Sequence, residues 1–138
     1  MATLLHSLLA VAMLFGMATA APQDERDVHL IIGGNFAVDH IGPKPFADVK
    51  QRALASPIVY LGIIERLGLA GTPDWLSSMH IPYAIEWIGV KHPAAVKALA
   101  AKLLPIYVKA RATPRRGTQT YRNERLDDRI RDLRRLAR

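Results

Sequence analysis

The chain contains no cysteine, which excludes disulfide staples, thiol nucleophiles and thiolate metal sites. It has no arginine or lysine before Arg26, so its N-terminal stretch lacks the basic character of a transit peptide. Aromatic residues make up only 7% of it and stand far apart, too scattered along the sequence for a stacking platform that grips single-stranded nucleic acid. No apolar run reaches the ~20 residues needed to cross a bilayer. Chemical motifs are missing too. Ser77-Ser78 has no glycine elbow around it, no His-Glu-x-x-His pair occurs, and Gly33-Gly34-Asn35 lacks the lysine and further glycines of a phosphate loop. No cofactor signature is present. His29, His40, His80 and His92 are not spaced as metal ligands, and Pro82 and Pro93 interrupt any helix that His80, Glu86 and His92 might share.

What is present begins with Leu8 to Ala18, an unbroken apolar segment of signal-peptide length followed by Ala18-Thr19-Ala20, a small-x-small cleavage pattern. Residues 1–20 are therefore expected to act as a signal peptide and the protein to be secreted or periplasmic. An uncleaved anchor over residues 4–21 is the alternative.

The full chain is half hydrophobic, and a chain of 138 residues buries ~60–70% of its unfolded surface, enough for a core of its own. A mostly α fold is expected. Residues 21–47 read as an extended or irregular lead-in, because "APQDERD" is polar, "VHLII" is β-branched, and Gly42, Pro43 and Pro45 follow. Residues 48–110 read as the helical body. Ser56-Pro57, Thr72-Pro73 and His92-Pro93 each pair a capping or start position with proline at the first helical position. Gly68 and Gly71 read as helix stops. Val96, Leu99, Leu103 and Ile106 recur at helical spacing in an alanine-rich stretch interrupted by Pro105. A 36-residue offset superposes Pro57 on Pro93 and Leu67 on Leu103, and the stretch from Ala84 to Leu104 is similar to the turn between stacked helices of HEAT-like repeats. Two copies fall short of the ~3 that a solenoid requires, so no family is assigned on this ground.

The net charge of +7 is segregated. Residues 1–108 hold equal numbers of acids and bases, and the whole excess lies in residues 109–138. Residues 111–121 read as a basic linker, and Arg115-Arg116 also fits a proteolytic processing site. Residues 122–138 read as an amphipathic helix: Leu126, Ile130, Leu133 and Ala137 form one stripe, while acids and arginines share the other face. Pairing of Arg131 with Asp127 or Asp128 is expected there.

Three functional expectations follow. The first is a non-enzymatic exported protein that binds a protein partner through its helical body and the stripe Leu126, Ile130, Leu133 and Ala137. The second is binding of a polyanion (nucleic acid, an acidic polymer or an anionic membrane) through Lys109, Arg111, Arg115, Arg116 and Arg122. The third is a small hydrolase using Glu86, whose flanking Tyr83 and Trp87 offer an apolar setting that would raise a carboxyl pKa. Glycoside hydrolysis usually needs a second carboxylate, and no pattern supplies one. The plainer reading of the same stretch packs Tyr83 and Trp87 into the core and turns Glu86 to water.

Overall fold

The computed structural model describes residues 21–114 and 121–138, and among them the chain forms eight helices with no strand. These are α1 (Pro22–Ile32), α2 (Val38–Ile41), α3 (Pro43–Ala55), α4 (Pro57–Leu69), α5 (Pro73–Ser78), α6 (Ile81–Ile88), α7 (Pro93–Ala112) and α8 (Tyr121–Leu136). Residues 1–20 and Arg115-Arg116 lie outside the described residues, and with them the signal, anchor and processing expectations. No helix among the described residues is long and apolar enough to cross a membrane.

Six of the eight helices carry proline in their first turn. Proline lacks an N–H that the first turn cannot satisfy anyway, and its fixed φ suits the helix, so here it starts helices rather than interrupting them. This corrects the expected lead-in, since residues 21–47 are largely helical. Ala21-Pro22 opens α1, and the Ala21 N–H donates back to Asp24 Oδ2 at 3.1 Å, which ties down the first turn. The "VHLII" segment is helix rather than strand, because Val28, Ile31 and Ile32 fall at i, i+3 and i+4 and all three are buried. Gly42 makes the turn from α2 into α3 at φ +90°, a conformation that favours glycine.

Helix α4 occupies the middle and packs against α1, α3, α6 and α7. That position accounts for the burial of Tyr60, Leu61, Ile63 and Ile64, while Ile58 and Leu69 of the same apolar helix remain exposed. Gly68 does not stop it. A Cβ there would stand 2.8 Å from Leu103 Cδ2, so the absence of a side chain at Gly68 makes room for Leu103 of α7 against α4. Helix α7 continues through Pro105 to Ala112. Thr72 caps α5, accepting from Trp75 N at 3.4 Å, whereas Ser56 holds the cap position of α4 without a side-chain bond.

Helix α8 closes the fold against α7 and α5, with a further contact to α6. Its stripe is spent internally: Leu126 and Leu133 are fully buried, Ile130 is buried, and Ala137 packs at the edge of the same core. Two charged side chains are buried among the described residues, Arg122 at the start of α8 and Asp27. Asp27 on α1 accepts from Arg52 Nε at 2.8 Å and Nη2 at 3.1 Å, and from Gln23 Nε2 at 2.8 Å.

Candidate functional site

The most developed surface feature lies on the outer face of α6. The chain leaves α1 through Gly33-Gly34 and turns at Asn35, where the Ala37 N–H donates to Asn35 O at 3.0 Å. That turn lays Phe36 between α3 and α6. Phe36 stacks on Phe46 with ring centroids 4.7 Å apart and on Trp87 at 6.1 Å, the second pair only 8° from parallel. Spacings of this kind are those that aromatic rings prefer. Residues separated by ten and by fifty-one positions thus form one aromatic wall, which the scatter of these residues along the sequence did not suggest.

The wall lines a pocket of about 300 Å³, completed by Ala37, Val38, Lys50 and Tyr83. Tyr83 is 66% exposed and Val38 47% exposed, so apolar surface stands open at the rim. Lys50 Nζ lies 5.9 Å from the centre of the Phe46 ring, a cation–π distance, and is the one formally charged side chain among the described residues that line the pocket. The pocket is concave and mostly lined by apolar side chains, of which Phe36, Phe46 and Trp87 are stacked on one another. Its lining holds neither a carboxylate nor a hydroxyl nucleophile, apart from the phenol of Tyr83.

Glu86 sits one position before Trp87 but is engaged elsewhere. Arg135 on α8 clasps it with both terminal nitrogens, Nη1 to Oε1 at 2.8 Å and Nη2 to Oε2 at 3.0 Å. The Arg135 bonds hold the Glu86 carboxyl below its ordinary value and outweigh the small opposing effect of burial. A general acid requires the opposite shift, so the expectation of a raised pKa is corrected. The plainer packing expectation is also half corrected, since Trp87 packs on the core but Tyr83 does not.

Of the residues expected to grip a polyanion, Arg115 and Arg116 lie outside the described residues, and the other three have different surroundings. Lys109 is exposed at the end of α7, beside a small groove lined by Leu69, Ile106 and Thr113. Arg111 is taken by Asp127 of α8 at 2.8 Å. Arg122 is buried and donates to Thr113 O at 2.6 Å, joining the end of α7 to the start of α8. Arg131 pairs with Asp128 at 3.3 Å as expected, whereas Asp127 turns to Arg111 instead. Among the described residues no group of three histidine or acid side chains is placed to hold a metal ion. Comparison with family models, with curated proteins and with solved structures gave no match for this chain.

Proposed function

We propose that the protein is a non-enzymatic, exported helical module that binds another protein, and that it does so through the aromatic pocket on α6 rather than through the C-terminal stripe. The observation that carries this reading is the exposed rim of Tyr83 and Val38 around the stacked Phe36, Phe46 and Trp87. Tyrosine and tryptophan are the residues most often found as energetic anchors of protein interfaces, because one rigid ring covers much area at little entropic cost. An isolated exposed tyrosine needs no explanation, but one standing over a preformed aromatic pocket does.

The pocket also states what it would accept. At about 300 Å³ it admits one large side chain or a proline-containing turn, and Lys50 favours an acidic residue beside that anchor. The stripe of α8 supports this division of labour indirectly, since a partner that displaced Leu126 and Leu133 would have to open the core.

The test is recovery of bound protein from the natural extracellular fluid or periplasm with wild-type and Tyr83→Ala baits. Tyr83 is mostly exposed, so the variant keeps its fold. Loss of a defined partner with Tyr83→Ala, and its retention with Tyr121→Ala at another exposed tyrosine, supports the reading. A partner set indifferent to both changes overturns it.

A further inference from the structure

The polar side-chain groups lining the α6 pocket are almost all donors. Lys50 carries an ammonium and Trp87 an indole N–H, neither of which can accept, and the third group is the Tyr83 hydroxyl. Among the described residues none of the three has a hydrogen-bond acceptor or a carboxylate as partner, and the Lys50 charge meets only the Phe46 ring. The acid nearest to Lys50 along α3, Asp48, is taken by Lys44 at 2.8 Å. Backbone acceptors of the two aliphatic lining residues are engaged as well. Ala37 O accepts from His40 N and Ile41 N, both at 3.1 Å, and Val38 O accepts from Gly42 N at 2.8 Å.

A segment that fits such a lining must bring acceptors and few donors of its own. An ordinary residue used as the anchor carries a backbone N–H, and taking that donor out of water without an acceptor is costly. Proline has no N–H, and in the polyproline II conformation its carbonyls are free of internal bonds. Its apolar ring can lie along an aromatic face, and Phe36 and Trp87 present faces only 8° from parallel. A fixed φ also leaves little conformational entropy to lose on docking. Lys50, charged and without a carboxylate, complements an acid beside the proline. Of the two anchors that the volume admits, a large side chain or a proline, the lining selects the proline.

On the reading that this pocket takes up protein, we propose that its ligand is an extended proline-containing segment flanked by an acidic residue. The proline ring rests on the Phe36–Trp87 wall beside Tyr83. Carbonyls of the segment accept from the Trp87 N–H and the Tyr83 hydroxyl, and the flanking carboxylate pairs with Lys50.

The experiment is an NMR titration of the full chain with three blocked peptides, following the Trp87 indole N–H and the amides of α6. The first peptide holds two glutamates and six prolines. The second has lysines in place of the glutamates, and the third has five alanines and a leucine in place of the prolines. Saturable shifts are expected with the first, with the second about fivefold weaker and the third about tenfold weaker or more. Tyr83 and Lys50 are exposed, so their variants keep the fold. Tyr83→Ala should weaken the first peptide at least about tenfold, whereas Tyr121→Ala should bind it as wild type. Lys50→Gln should cost about two- to fivefold and abolish the preference for glutamate over lysine. Equal binding of the leucine peptide, a preference for the lysine peptide, or benzoate bound more tightly than the first peptide overturns the proposal. So does the absence of saturable shifts with the first peptide. Recovery of partners with the Tyr83→Ala bait decides the underlying reading separately: a partner lost with that variant, when the first peptide does not bind, keeps protein binding and discards only the choice of proline.

Discussion

The Tyr60 hydroxyl donates to Asp27 Oδ2 at 2.6 Å, and both side chains are shut off from water in the centre of the fold. With Arg52 and Gln23 on the remaining lone pairs, the carboxylate accepts four bonds from three side chains. These connect α1 to α3 and α4, so one acid holds three helices in register. Such a network contributes when complete and costs heavily when one member is lost.

Asp27→Asn is therefore expected to cost about 3 kcal/mol at neutral pH, because Arg52 then faces an amide that cannot balance its charge. The loss should depend on pH. Burial alone would raise the Asp27 pKa, but the bonds from Arg52, Tyr60 and Gln23 outweigh it and hold the group below 3.8. A lowered folded-state pKa means the contribution is complete above 3.8 and disappears as pH falls through the folded value. Urea midpoints of wild type and variant should converge as pH is lowered toward about 2. A gap that stays constant over that range would refute the assignment.

Leu133 marks the C-terminal helix as part of the body rather than an appendage. Leu133→Ala should lower stability by about 3 kcal/mol in chemical denaturation, the cost of a cavity in a packed core. Removing residues 122–138 strips Leu126, Ile130 and Leu133 from the core at once and should abolish the cooperative transition. A truncated chain that unfolds at the wild-type midpoint would return the stripe to the role of a docking face.

Two glycines should respond to the same substitution with opposite signs. Gly62 lies within α4, and a Cβ there meets nothing within 4 Å, so Gly62→Ala should stabilise by about 0.5–1 kcal/mol through the lower entropy of the unfolded chain. Gly89 ends α6, where a Cβ would stand 2.2 Å from Val96 Cγ2 and 3.0 Å from the Ile85 carbonyl oxygen. The carbonyl belongs to the backbone and cannot step aside, so Gly89→Ala should destabilise by about 1–3 kcal/mol. Thermal melts of the two variants compare them directly, and shifts in the same direction would contradict the packing described.

The helical class and the starts of α4, α5 and α7 were legible because proline after a cap or start residue is a local signal, complete within two or three residues. The starts of α1 and α3 carry the same proline signal, but neighbouring glycines and β-branched residues outweighed it in the reading of residues 21–47. The α8 stripe was legible as a stripe, but periodicity does not say what covers it, and here α7 and α5 do. Asp27 and Phe36 were missed for a different reason. Asp27 sits in a polar run and is buried only because Arg52 and Tyr60 arrive from 25 and 33 residues away. Phe36 joins Trp87 only through the turn at Asn35. A site assembled by such long-range meetings leaves little trace in spacing along the chain.

Glu86 shows how one such meeting decides a chemical question. Read along the sequence, its aromatic neighbours suggest an apolar setting and a raised pKa; in the fold, Arg135 arrives from 49 residues away and reverses the sign. A carboxyl-detected NMR titration should place the Glu86 midpoint below 4.5. Arg135→Gln removes the bidentate partner and should return the midpoint toward 4.5, without the rise above it that a general acid needs. Because both side chains are half exposed, the wild-type depression should also shrink as salt is added. A wild-type midpoint above 4.5 would show that the ion pair does not persist in solution, and would restore Glu86 as a candidate proton donor.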